Sequence, residues 1–248
     1  MSCSYVNIKL IISYDGSNYH GWQRQRGKPT VQGILENTLK KMLAKIKVTG
    51  AGRTDAGAHA LGQVANFHVD KLKMPVKKLR TVLNNLLPED IRILEASSCP
   101  LSFDSRRSAK GKTYIYLVCN SEMILPFFSK YSWHMPVKLN INKMIAAGAC
   151  LAGTHDFASF MSSGSSVKTT IRTIKSIRIV KDDPFITFCI RGNGFLKQMV
   201  RSIVGSLVEV GLGKMTPNEF KGILAKKDRT AAGRCAPAKG LFLLSVEY

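Results

Sequence analysis

GAGRTDAGAHALG, running from Gly50 to Gly62, is the stretch around which the rest of the chain has to be arranged. Gly50, Gly52, Gly57 and Gly62 surround one acid, Asp55, with Arg53 two residues before it. Glycine admits positive φ and close backbone approach, so so many glycines cost entropy unless the loop's shape is used. Residues 46–49 read as a short strand entering the loop. Val64, Ala65, Phe67 and Val69, with Asn66 and His68 between them, read as a strand leaving it. Two readings of Asp55 stand at this point. An Asp in a Gly-rich connection commonly makes a local turn by bonding its own backbone. Alternatively the acid is held between two strands with a cation in reach, which keeps a carboxylate ionised, as a nucleophile or base must be.

The chain has 248 residues, enough for one large domain or two ordinary ones. Its charge is the outlier: 37 Lys and Arg against 16 Asp and Glu, a net +21. A field of that sign favours a polyanion, and nucleic acid leads the possible partners. The sequence contains no apolar run of about eighteen residues, and MSCSYVNIKL lacks a signal-peptide core, so neither a membrane nor export is expected. The six cysteines, Cys3, Cys99, Cys119, Cys150, Cys189 and Cys235, form no CxxC pair. This pattern predicts reduced thiols in the cytoplasm and no zinc site. The five histidines are equally scattered, so no metal centre is expected.

Outward from the loop, alternation and turn signals predict strands at 7–14, 91–96, 112–119, 171–180, 185–191 and 241–248. The segment 15–25 reads as a polar loop in which Trp22 either touches RNA or plugs the core. Thr30 caps a helix whose apolar face is Val31, Ile34, Leu35, Leu39, Met42, Leu43 and Ile46, with Lys40, Lys41 and Lys45 off that face. After the basic run 71–78, a second helix turns Val76, Leu79, Leu83 and Leu86 inward and ends at Pro88. Polar residues 97–109 read as a link. Further helices are predicted over 141–151 and 195–210 and after the capping box Thr216, Pro217, Glu219. Arg201 falls at the border of the apolar stripe of the 195–210 helix, where an arginine either snorkels to solvent or meets an anion. Residues 127–135 read as an aromatic-rich loop and 162–170 as a mobile lid or RNA-contacting loop. The expectation is an α+β protein of two similar mixed lobes around a largely antiparallel sheet, with a central cleft as the binding site. The N-terminal lobe would span 1–108 and carry the Asp loop; the C-terminal lobe would span 109–248.

Other stretches then join the loop: YDGSNYHGWQRQ from Tyr14, VQGILE from Val31, NNLLPEDI from Asn84, KTYIY from Lys112, THDFASF from Thr154, GFLKQMVRSIVG from Gly194, DRTAAG from Asp228 and APAKGLFLLSVEY from Ala236. In order, spacing and identity they resemble the TruA-type tRNA pseudouridine synthases, over essentially the whole chain. That resemblance implies the pseudouridine synthase fold and the conversion of uridine to pseudouridine at positions 38, 39 and/or 40 of the tRNA anticodon arm. It implies a homodimer without cofactor or metal. It also implies roles. Asp55 matches the catalytic aspartate, and Arg53 the arginine that takes the place of the flipped-out nucleotide. Tyr114 matches the tyrosine packing on the target base, Arg201 the arginine paired with the aspartate, and Leu241 an apolar residue of the same pocket.

Four places depart from the family's pattern. Phe103 to Ala109 reads FDSRRSA where FHARFSA is usual, so Asp104 replaces His and Arg107 replaces a hydrophobic residue. Ala58 stands where Val is common, and Arg234-Cys235 where Pro-Thr is common. None is one of the five site positions. A rival reading is a non-catalytic tRNA-binding protein on the same fold, which would keep the charge and drop the acid. An RNA hydrolase is a weaker alternative, with no metal cluster or His pair to support it.

Overall fold

The computed structural model describes residues 5–43, 46–70, 72, 74–164 and 167–248. Cys3, Lys45, the two lysines 71 and 73 of the basic run, and residues 165 and 166 of the expected lid lie outside these. The chain divides into two compact units, Met1–Lys110 with Leu243–Tyr248, and Gly111–Phe242.

In the first unit, β1 (Val6–Tyr14) is followed by α1 (Val31–Lys40), β2 (Thr49–Gly50), β3 (His59–Val69), α2 (Val76–Leu86) and β4 (Ile91–Cys99). The middle strand β1 pairs antiparallel with β3 on one side and β4 on the other, and β2 adds two residues against β3. Alternation along β1 buries Ile8, Leu10, Ile12 and Tyr14. Thr30 caps α1 by accepting from the Gly33 N–H, a contact that contributes about 1 kcal/mol.

The helix is shorter than its periodicity predicts, because it ends at Lys40. Ile46 lies beyond it, buried in the approach to β2. The strand entering the Asp loop is only Thr49–Gly50, whereas the one leaving starts at His59, five residues earlier than expected. On α2, Leu79 and Leu83 are buried but Leu86 is exposed. Leu87, one residue past the helix, is buried instead, since the chain turns extended there.

The expected link at 97–109 is partly strand, since β4 continues to Cys99. Beyond it, the buried Asn7 amide donates to the Pro100 and Phe103 carbonyls. Ser105 donates through its N–H to Asn66 Oδ1 and through its hydroxyl to the Thr49 carbonyl. Asp104, one of the departures, accepts from the Arg106 and Arg107 N–H groups at 2.9 and 2.8 Å, capping the turn in the manner of an Asx turn. Arg107, the other, is exposed.

In the second unit, β5 (Gly111–Cys119) leads to α3 (Pro126–Ser129), β6 (Trp133–His134), α4 (Ile141–Gly148), β7 (Gly153–Asp156), β8 (Ile171–Asp182), β9 (Phe185–Gly192), α5 (Met199–Gly211) and α6 (Pro217–Lys226). The strands run β7-β8-β9-β5, each pair antiparallel, and β6 adds a short parallel pair beside β5. The expected aromatic loop at 127–135 therefore holds a short helix and a short strand. Tyr114, Tyr116 and Val118 all face the core, as their alternation predicts. The capping box of α6 is present: Thr216 accepts from the Glu219 N–H while Glu219 accepts from the Thr216 N–H.

The expected 195–210 helix begins only at Met199, because Gln198 is left-handed at φ 59°. Phe195 and Leu196 consequently sit in the loop before it. The last strand, β10 (Leu241–Glu247), starts in the second unit and enters the first, where it lies beside β3. The protein is thus mixed α/β with largely antiparallel pairing, in agreement with the expected class. Among the described residues no helix is long and apolar enough to cross a membrane.

Candidate active site

The Asp loop occupies 51–58, between β2 and β3 of the first unit. Its floor is Trp22, which is 2% exposed and tilted against Tyr14 at 6.1 Å, so the core reading of this residue holds. A β-carbon added to Gly50 would stand 2.4 Å from the Trp22 Nε1, which is why the loop enters on a glycine. The Trp22 N–H donates to the Thr54 carbonyl at 3.2 Å, the Gly57 N–H to the Tyr19 carbonyl at 3.2 Å, and the Ala58 N–H to the Asp55 carbonyl at 3.1 Å. The Tyr19 hydroxyl in turn donates to Asp90 at 2.5 Å, tying the N-terminal loop to the PEDI segment. The three backbone bonds hold the loop, so the acid's Cα is fixed independently of its side chain.

Burial alternates sharply over three residues. Arg53 is exposed, Thr54 is buried and Asp55 is half-buried. Thr54 Oγ1 bonds the buried Tyr14 hydroxyl at 2.7 Å. Burial pushes the Tyr14 pKa up to about 12, against the opposing pull of hydrogen bonds to Thr54 and Gln63. Tyr14 therefore stays a neutral hydroxyl throughout the physiological range.

The other expected residues lie in the second unit. Tyr114 on β5 is 6% exposed and meets Phe195 edge-on at 5.1 Å. Phe195 is a neighbour that the helical pattern assigned elsewhere; Asn193-Gly194 just before it is the turn signal that marks its true place. Arg201, on the first turn of α5, is half-buried. Its Nε donates to the Ala236 carbonyl at 2.7 Å, and the Ala236 N–H donates back to the Arg201 carbonyl at 3.1 Å. One residue on, the Pro237 carbonyl accepts from the Tyr116 hydroxyl at 2.7 Å. Burial holds that hydroxyl well above the usual tyrosine range, and the charges of Arg201 and Arg234 offset it only in part. The second unit thus brings Arg201, Tyr116 and the 236–237 backbone together. Leu241, four residues further, is buried at the start of β10.

Arg234, where the family pattern has Pro, stacks its guanidinium over Trp133 at 4.6 Å, while its N–H donates to Glu209. Of the segment expected to be a lid, Ser162 and Ser163 are bonded to the loop before α5: the Ser162 N–H donates to the Lys197 carbonyl and Lys197 Nζ to the Ser163 carbonyl. Among the described residues no group of three or more His, Cys, Asp or Glu is gathered as a metal site would need.

A family model described as tRNA pseudouridine synthase matches residues 10–106 and 147–248. The tRNA pseudouridine synthase A of Thermoanaerobacter sp. (strain X514) is 46% identical over 243 residues, covering 98% of this chain and 99% of that protein. The protein of the same name from Acetivibrio thermocellus is 45% identical with the same coverage of both chains. That from Geotalea uraniireducens is 46% identical over 242 residues, covering 97% of this chain and 99% of its own.

Proposed function

The chain belongs to the tRNA pseudouridine synthase family, and we propose that it isomerises uridine at positions 38, 39 and/or 40 of the tRNA anticodon arm with Asp55 as its catalytic carboxylate. The single observation that carries the assignment is the burial pattern of the loop: Thr54 is sunk between an exposed Arg53 and a half-buried Asp55, on a backbone held by hydrogen bonds. An acid that merely made a turn through its side chain would need no such scaffold.

Pseudouridine formation breaks the N1–C1′ bond and makes a C5–C1′ bond on the same base. The base gains a proton at N1 and loses one from C5, so the reaction is an isomerisation. The carboxylate acts by attacking C1′, by attacking C6, or by removing a sugar proton so that a glycal forms; all three routes require the ionised acid. A uridine in the arm must first leave its stack, at a cost of a few kcal/mol. Arg53, exposed and two residues before the acid in the chain, fills the gap left behind. Tyr114 gives the loose uracil a flat surface, and stacking of that kind contributes about 1–3 kcal/mol. Arg201 is the cation that serves the acid, and Leu241 helps to exclude water that would capture the sugar.

The +21 charge supports phosphate-dominated binding, suited to uridines in differing sequence contexts. We place the protein in the cytoplasm, acting as a homodimer without cofactor. Raising salt from about 50 to 200 mM should weaken tRNA binding by about 100- to 500-fold if roughly five phosphate contacts are made. Filter binding across a salt series checks this, and a flat series would contradict phosphate-dominated binding.

The activity is tested with tRNA labelled with tritium at uridine C5. Each pseudouridine formed releases one tritium. Replacing the uridines at 38–40 by cytidine should abolish release. Protein that binds tRNA and releases none would favour the non-catalytic reading.

A further inference from the structure

The backbone on either side of Arg53 is tied down from beneath. Gln63 Nε2 donates to the Gly52 carbonyl at 2.9 Å on one side, and Thr54 Oγ1 shares a hydrogen bond with the Tyr14 hydroxyl at 2.7 Å on the other. All three side chains are buried: Gln63 is 0%, Tyr14 3% and Thr54 7% exposed. Gln63 Oε1 is buried without a hydrogen-bond partner among the described residues. A lone buried acceptor costs free energy that an apolar side chain of similar size would not. Its other end, the amide nitrogen, holds the Gly52 carbonyl and also meets the Tyr14 hydroxyl.

The strand pairing is adjusted at the same place. Ile12 opposes Gln63 and Tyr14 opposes Ala60, so β3 carries one more residue than β1 between these pairs. A bulge of this kind bends its strand and re-aims side chains. Here it accompanies the convergence of a β1 hydroxyl and a β3 amide on one short stretch of loop.

We propose that Tyr14, Thr54 and Gln63 are positioning residues for the isomerisation: by sinking the backbone on both sides of Arg53 they set the Arg53 guanidinium and the Asp55 carboxylate on the side of the loop opposite to Thr54. The proposal rests on the reading of Asp55 as the catalytic carboxylate. In extended chain, neighbouring side chains alternate, so drawing Thr54 inward turns residues 53 and 55 outward together. The three residues are buried beneath the loop and act through its backbone rather than by touching RNA.

The test compares Thr54→Val, Thr54→Ser, Tyr14→Phe and Gln63→Leu with wild type and Asp55→Asn. Single-turnover pseudouridine formation and tRNA Kd are measured for each. A displacement of about an ångström costs on the order of a hundredfold in rate, so Thr54→Val, Tyr14→Phe and Gln63→Leu should slow the reaction by about ten- to a hundredfold. Their Kd should stay within about threefold of wild type, because the lost interaction is felt in the transition state. Thr54→Ser keeps the hydroxyl and should return to within about threefold of the wild-type rate. Unchanged rates in the three variants, a loss carried by Kd instead, or a serine variant as slow as the valine one would each overturn the proposal. Full turnover by Asp55→Asn would overturn the Asp55 assignment itself. Inactive Asp55→Asn beside fully active Thr54→Val and Gln63→Leu would overturn the positioning role alone. If Thr54→Val does not fold, Tyr14→Phe carries the same comparison without altering the loop sequence.

Discussion

Asp55→Asn is expected to form no measurable pseudouridine, below about one-thousandth of the wild-type rate, while tRNA affinity stays within about tenfold, or 1.4 kcal/mol. The amide has nearly the shape of the acid but neither attacks carbon nor takes a proton, so every route open to the carboxylate is closed. The loop itself should survive the change. Its backbone is held through the Gly52, Thr54 and Asp55 carbonyls and the Gly57 N–H, none of which is altered. Binding should survive because the protein's +21 charge is spread along the chain and the substitution removes a negative charge from it. Product assayed by tritium release and affinity assayed by filter binding on one preparation give both numbers. Loss of both together would make Asp55 a structural residue.

Gly205→Ala is expected to have the largest effect on stability. A β-carbon at this point of α5 would stand 1.7 Å from the Arg234 carbonyl oxygen and 2.9 Å from its carbon. Both are backbone atoms, so neither can swing aside as a flexible side chain would. Overpacking of a tight interface costs about 1–3 kcal/mol and sometimes more. At about 2–4 °C per kcal/mol for a chain of this size, a cost near 3 kcal/mol lowers Tm by about 6–12 °C. The consequence extends to the site, because residues 234–237 would have to retreat. Ala236 gives up its carbonyl to Arg201 and Pro237 its carbonyl to Tyr116. The surviving folded protein should therefore also turn over about tenfold or more slowly. Thermal unfolding followed by circular dichroism and a single-turnover assay below Tm check the two effects. An unchanged Tm would mean that the chain at 234–236 yields freely.

Much of this arrangement was legible wherever the cause is local. The Thr30 cap, the Thr216–Glu219 capping box and the alternation of Tyr114, Tyr116 and Val118 each follow from chemistry within a few residues. The misread positions have distant or conformational causes. Apolar spacing carries the α5 pattern back to Phe195, but the left-handed Gln198 breaks the helix, and Phe195 packs on Tyr114 instead. On α1, the polar Gln32 and Glu36, which lie outside the apolar face that the spacing marks, are both buried. The Glu36 carboxylate accepts from the Val48 N–H and from Gln32, while Arg24 meets it at 3.2 Å. That satisfaction depends on Val48 and Arg24, which lie on separate loops on either side of the helix. For the loop, the motif pointed to Arg53 and Asp55, but not to Thr54 as the residue that sinks between them. Its partners, Tyr14 and Gln63, stand forty positions before it and nine after it, on strands that meet only in the fold.

Isomerisation of uridine in the anticodon arm is tested most directly by mapping pseudouridine at single-nucleotide resolution in tRNA transcripts incubated with the wild-type protein. The predicted result is pseudouridine at 38, 39 or 40 wherever a uridine stands there, with the uridines of the other arms unchanged. Pseudouridine confined to another arm, or none in any transcript that the protein binds, would contradict it.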